Sequence, residues 1–322
     1  MATQDTMERM RAEVAEGLSR PQKALSPKYF YDRRGSELFE EITRLPEYYP
    51  TRTERALLLE RMPDWVHARR PASLVELGAG AADKTRAILD AMHDAVAEPV
   101  FVPIDISGEF LRRVAADLRA AYPTAAIRPL VADISHGFHL PDDLPRPLLF
   151  ALLGGTIGNF PRDDGVGLLR RVRSEMSDDD RFLIGFDLRK DVQVLEAAYN
   201  DDAGITADFN RNVLRVLNRE LGADFPVDRF RHRAFYAEEE ERIEMHLVAD
   251  APCTVAIPGV GEFRFDAGET IRTEISCKYT RPSIEAMFHD AGLAVEHFAT
   301  ADPGFALVLA RPVVHGRAAR DP

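Results

Sequence analysis

The sequence predicts a two-part α/β protein, a Rossmann-like doubly wound parallel sheet carrying a second, α+β domain. Three observations predict it. From Ser73 to Phe186, short and nearly continuous apolar runs alternate with segments whose apolar residues recur three and four apart, the grammar of buried parallel strands joined by helices. After Asp187 one long amphipathic helix gives way to segments of period two, which suits antiparallel strands. Near the C-terminus a helix and two apolar runs return.

The expected strands of the doubly wound part are S-L-V-E-L from Ser73, V-F-V-P-I from Val100, A-I-R-P-L-V from Ala126, P-L-L-F-A-L-L from Pro147 and R-F-L-I-G-F from Arg181. D-K-T-R-A-I-L-D-A-M and S-G-E-F-L-R-R-V-A-A-D-L-R-A-A-Y are the helices between the first three. In the insertion, G-I-T-A-D-F-N-R-N-V-L-R-V-L-N-R-E-L-G sets Phe209, Val213, Val216, Leu217 and Leu221 on one stripe, and Gly222 stands where a helix stops. R-I-E-M-H-L-V, C-T-V-A-I, E-F-R-F and I-R-T-E-I-S-C-K follow as strands. The parallel grammar resumes with a helix from about Ser283 to Ala291 and the strands L-A-V-E-H-F and F-A-L-V-L-A. The expected division is 53–189 with 280–322 for the sheet domain, and 1–52 with 190–279 for the other.

In L-P-E-Y-Y-P-T-R-T-E, from Leu45, two prolines bracket two tyrosines. Pro50 favours extended geometry at Tyr49, and Thr51 with Glu54 has capping-box spacing ahead of a helical pattern. The two rings read either as packing or as hydroxyls held on a stiff turn.

The 322 residues carry a formal charge of -12, with 45% hydrophobic and 29% charged residues. Without a basic run, nucleic acid and anionic membranes are poor partners, and a small-molecule substrate fits better. Cys253 and Cys277 have neither disulfide-framework nor metal-ligand spacing, so no metal is expected and a reducing cytoplasm is. The N-terminus lacks an apolar signal-peptide core, and no run approaches membrane-spanning length. A monomer is expected.

V-E-L-G-A-G-A-A-D-K-T, Val75 to Thr85, turns the first strand into the first helix. Gly78 and Gly80 permit a tight turn at the strand end where such sheets bind cofactors. Asp105 ends the second strand, 27 residues after Gly78, where a carboxylate can accept both ribose hydroxyls of a nucleoside; Asp133 ends the third and faces the adenine edge. The third glycine of a dinucleotide fingerprint is replaced by Asp83, whose charge at a helix start would repel a pyrophosphate. A nucleoside without phosphate, carrying a sulfonium, is the better ligand, and Glu76 suits its positive charge. These residues favour an S-adenosylmethionine-dependent methyltransferase over a dehydrogenase.

The fourth strand runs into L-L-G-G-T-I-G-N-F. Asn159 there can hold an amine or carboxylate, or can cap a helix. In I-R-T-E-I-S-C-K the period of two sets Glu274 and Ser276 on one face, able to grip a basic ring, with Ile271, Ile275 and Cys277 on the other. Met245 between Ile243 and Leu247 is core or pocket.

Taken together, L-P-E-Y-Y-P-T-R-T-E, V-E-L-G-A-G-A-A-D-K-T, L-G-G-T-I-G-N-F, F-N-R-N-V-L, E-R-I-E-M and T-E-I-S-C-K resemble the histidine-specific, S-adenosylmethionine-dependent methyltransferases, in order from about Ser26 to beyond Lys278. The resemblance implies trimethylation of the α-amino group of L-histidine to hercynine, the first step of ergothioneine biosynthesis. It puts Gly78, Lys84, Asp105 and Asp133 on the cofactor, with Gly80 and Ile134 beside them. It puts Tyr48, Asn159, Tyr199, Glu274 and Ser276 on histidine, with Met245 lining the pocket. Asn159 and Tyr199 would hold the α-amino and carboxylate groups, and Glu274 and Ser276 the imidazole. Asn159 and Tyr48 are the candidate catalytic residues, water being an equal candidate for proton acceptor. Two alternatives stay open: a family member acting on another aromatic amino acid, and a catalytically silent histidine or S-adenosylmethionine binder.

Overall fold

The computed structural model describes residues 4–313. The chain forms two compact units, one from Met1–Tyr49 with Lys190–Cys277, the other from Pro50–Arg189 with Lys278–Pro322.

The second of these is built on an eight-stranded sheet. Its strands lie in the order Leu293–Ala301, Phe305–Pro312, Arg181–Asp187, Leu148–Leu152, Ser73–Leu77, Val100–Asp105 and Ala126–Ile127, with Leu130–Val131 also paired to Val100–Asp105. Ser73–Leu77, Leu148–Leu152 and Arg181–Asp187 are buried at every position, which is why their sequences are almost wholly apolar. Their pairings are parallel, and parallel neighbours need crossovers. The helices Thr85–Ala95, Gly108–Ala121 and Arg162–Glu175 supply them.

Two expectations for this unit need correcting. A-I-R-P-L-V is not one strand but two short ones, because Pro129 has no N–H to give the ladder. The last two strands do not resume the parallel pattern: Phe305–Pro312 runs antiparallel to both Arg181–Asp187 and Leu293–Ala301. Only Asp302 to Gly304 join the final pair, far too few residues for a crossover.

In the other unit, Lys23–Ala24, Thr270–Cys277, Arg242–Ala249 and Phe230–Ala237 form one sheet, and Cys253–Ile257 pairs with Gly261–Phe265 as a separate hairpin. The helix Ile205–Leu221 buries Phe209, Val213, Leu214, Val216, Leu217 and Leu221 in a core shared with Ile243, Met245, Leu247 and Ile271. Gly222 ends it at φ +68, the left-handed cap that glycine adopts without strain. The strand Phe230–Ala237 was not expected, since the arginines of F-R-H-R-A-F-Y-A obscure its alternation.

The register of Thr270–Cys277 overturns one predicted face. Ile271 opposes Leu247, Glu274 opposes Met245 and Ser276 opposes Ile243, with a register shift between Arg272 and Glu274. Thr273 is therefore the extra residue of a bulge. Strict alternation puts Ile271 on the side of Ile275 and Cys277; the bulge returns it to the face of Glu274 and Ser276.

The elbow also differs. Tyr49 is helical, the first residue of Tyr49–Arg69, so Thr51 and Glu54 lie inside the helix and form no capping box. Pro50 is tolerated because N–H groups in the first turn have no intrahelical acceptor anyway.

Candidate active site

In the sheet unit the turn after Ser73–Leu77 holds Gly78 at φ +70 and Gly80 at φ +49. The N–H groups of Gly78 and Ala79 both donate to the Ile104 carbonyl, at 2.8 and 3.1 Å. A Cβ on either glycine would meet nothing within 4 Å. The glycines therefore serve the left-handed backbone, and the space beside them accommodates a ligand approaching the main chain. Asp105 is aimed by two backbone donors, Gly80 N at 3.2 Å and Ser107 N at 2.9 Å. Its carboxylate has further lone pairs for hydroxyl donors. Ile106, directly after it, is 46% exposed, an apolar surface beside an acid that the sequence reading missed although D-I at a strand end signals it.

Asp133 follows the short strand Leu130–Val131 and accepts from Ser135 N at 3.0 Å and from the Ser135 hydroxyl, with His136 Nδ1 3.1 Å from its other carboxylate oxygen. The Ile134 carbonyl accepts from Arg171 at 3.4 Å. Glu76 does not face outward as a counter-charge. It is buried, the Thr85 hydroxyl donates to it at 2.5 Å, and burial pushes its carboxyl up to about 7.

Lys84 donates to Glu54 at 2.5 Å, and both Glu54 oxygens accept the Gly154 N–H, at 2.9 and 2.8 Å. Glu54 thereby joins the helix Tyr49–Arg69, the glycine turn and L-G-G-T-I-G-N-F. Gly185 makes room for it: a Cβ there would lie 2.0 Å from Glu54 Oε1. Asn159 closes the 3-10 turn Thr156–Asn159, which is tied back by Gly158 N to Gly155 O at 2.8 Å. The next helix begins at Arg162 with Pro161 in the cap position and no side-chain cap bond, so Asn159 is not a helix cap.

The remaining predicted residues gather in the other unit. In A-A-Y-N-D-D, Tyr199, Asn200 and Asp201 each bond a different part of this unit. Asp201 accepts from Ile205 N and Thr206 N, both at 2.8 Å, and so satisfies first-turn N–H groups of the helix Ile205–Leu221, whose cap position is held by Gly204. Asn200 clamps Ala234, giving Nδ2 to its carbonyl at 3.1 Å and taking its N–H at 3.2 Å. Tyr199, so fixed, donates its hydroxyl to Ser276 Oγ at 2.9 Å. Glu274, Ser276 and Met245 share one sheet face through the register described above. Tyr48 is 8% exposed and meets the Tyr199 ring edge-on at 6.4 Å and Phe39 at 6.2 Å. Tyr49 is buried, and its hydroxyl accepts from Lys190 at 2.6 Å.

The sheet, its left-handed glycine turn and the acid closing the next strand define the S-adenosylmethionine-dependent methyltransferase class of Rossmann-like folds. A crystal structure of an S-adenosylmethionine-dependent methyltransferase from Clostridium acetobutylicum shares this fold, with a TM-score of 0.51 and 12% identity over 86% of this chain and 98% of that one. The family model described as histidine-specific methyltransferase, SAM-dependent, matches residues 10–312, and the chain belongs to that family. It is similar to two proteins named histidine N-alpha-methyltransferase. That of Mycolicibacterium smegmatis is 42% identical over 313 residues, covering 96% of this chain and 97% of the relative. The other, from Mycobacterium tuberculosis, is 43% identical over 287 residues, 88% of each. No helix among the described residues is long and apolar enough to cross a membrane, and no cluster there has the make-up of a metal site.

Proposed function

We propose that the protein trimethylates the α-amino nitrogen of L-histidine, giving hercynine for ergothioneine biosynthesis. The observation that carries this reading is the arrangement on one sheet face. Glu274 and Ser276 stand two residues apart, with Met245 opposite and the Tyr199 hydroxyl donating to Ser276. A carboxylate with paired hydroxyls, on a face shared with Ile243, Met245 and Leu247, matches a flat ring bearing both a donor and an acceptor nitrogen. An indole has only the donor and would leave a polar group unanswered.

S-adenosylmethionine, when bound, supplies a methyl group made electrophilic by a sulfonium. The residues of the sheet unit suit it: the Gly78–Gly80 turn admits a ligand against the main chain, Asp105 receives ribose hydroxyls, and Ile106, Asp133 and Ile134 border the base. Exposed Asp83 ahead of the helix argues against a pyrophosphate in the same place. Asn159 and Tyr199 hold the amino acid's α-amino and carboxylate groups. Orienting a neutral amine for in-line displacement supplies much of the rate, and no covalent catalyst is needed. The amine loses its proton to Tyr48 or to water before each transfer. The sequence ends by itself after three, because a quaternary nitrogen has no lone pair.

The test is S-adenosylhomocysteine release with each common amino acid in turn. Turnover with histidine alone supports the proposal; turnover with tryptophan instead, or with none, overturns it.

A further inference from the structure

Asn210 and His232 take no part in the chemistry described so far, yet they link the bulged strand to the residue that would hold the substrate. The Thr273 hydroxyl, at the bulge, lies 2.6 Å from Asn210 Oδ1 and 3.0 Å from the Met245 carbonyl. Asn210 Nδ2 donates to the His246 carbonyl at 3.0 Å and lies 2.8 Å from His232 Nδ1. His232 Nε2 lies 2.8 Å from the Tyr199 carbonyl.

The roles follow from the two carbonyls. A backbone carbonyl only accepts, so the Asn210 atom at His246 is the amide nitrogen, and its second hydrogen points to His232 Nδ1. Nδ1 therefore accepts, and Nε2 carries the hydrogen given to Tyr199. Burial, the largest influence, lowers the His232 pKa, which agrees with a neutral ring. Asn210 is fully buried and Thr273 is 1% exposed, so none of these bonds competes readily with water. All the groups belong to the same unit as Tyr199 and Ser276.

We infer that Asn210 and His232 are positioning residues, which fix the Tyr199 backbone so that its hydroxyl meets Ser276 and the pair presents one geometry to the amino-acid substrate. The bulge at Thr273 is then part of the site, because it turns a hydroxyl inward to orient Asn210. This inference rests on the proposed histidine methyltransferase activity.

The experiment compares His232→Leu, His232→Gln and Thr273→Val with the wild type, measuring KM for histidine, kcat, and cofactor affinity by calorimetry. His232→Leu removes both ring bonds and is expected to raise histidine KM about tenfold, the effect of one to two net hydrogen bonds. His232→Gln keeps an acceptor and a donor and should recover most of that loss. Thr273→Val, a smaller change that serves if His232→Leu fails to fold, should raise histidine KM about threefold. Cofactor affinity should stay within about twofold throughout. Histidine KM unchanged in Thr273→Val and in whichever His232 variants fold would overturn the inference, as would a parallel loss of cofactor affinity. Wild-type protein that leaves histidine unmethylated would instead sink the functional reading and this inference with it.

Discussion

Glu54 accepts the Gly154 N–H with both carboxylate oxygens while holding the Lys84 ammonium at 2.5 Å, and its side chain is fully buried. Removing one partner of a buried ion pair leaves the other charge without compensation, a loss of about 3–5 kcal/mol. Glu54→Ala is therefore expected to lower stability by that order in urea titrations. Gly185→Ala should reproduce part of the effect, because its methyl group takes the space of Glu54 Oε1. A Glu54→Ala variant within about 0.5 kcal/mol of wild type, the size of an ordinary surface change, would remove Glu54 from this role.

Gly78→Ala tests the turn. At φ +70 a side chain costs about 1–2 kcal/mol, and no protein atom stands in its way. Stability should fall by no more than that, whereas cofactor affinity should fall tenfold or more because the methyl group enters the ligand's space. Calorimetry with S-adenosylhomocysteine separates the two, and unaltered affinity would place the cofactor elsewhere.

Glu76 gives a pH dependence. Its carboxyl sits at about 7 in the folded protein against a usual 4.5, so between those values the native state binds more protons than the unfolded chain. Its contribution to stability therefore declines as pH rises through that window. Glu76→Gln, which cannot ionise, should gain on the wild type by an amount on the order of 3 kcal/mol at pH 8 and by little near pH 4. Urea titrations at both values check this; a difference independent of pH would contradict it.

Glu274→Ala should impair histidine use while leaving cofactor affinity nearly intact, since Glu274 and the residues proposed to hold the cofactor, Gly78 and Asp105, belong to different units. Steady-state kinetics varied in histidine, beside calorimetry with the cofactor product, give the comparison. Equal losses in both would refute a role confined to the amino acid.

What the sequence made legible follows from how local the causes are. Alternation of apolar runs and helices, the stop at Gly222 and the turn at Gly78 are written in neighbouring residues. The bulge at Thr273 is not, because it depends on how Arg242–Ala249 aligns opposite and on a hydrogen bond that the Thr273 hydroxyl donates to Asn210 Oδ1, 63 positions away. Glu54 was misread for a related reason. Its spacing from Thr51 suggested a local cap, whereas its partners lie at Lys84 and Gly154, brought to it by the sheet. The direction of the last two strands was open to inference, since the three residues from Asp302 to Gly304 allow only a hairpin.

In the proposed reaction one amino-acid nitrogen receives three methyl groups. Incubating the protein with histidine and excess S-adenosylmethionine, then following mass and the N-methyl proton signal, tests it directly. Three cofactors consumed per histidine, a single trimethylated α-nitrogen and an unmodified imidazole are the expected result. Methylation on the ring, or a reaction that stops at one methyl group with cofactor remaining, would contradict it.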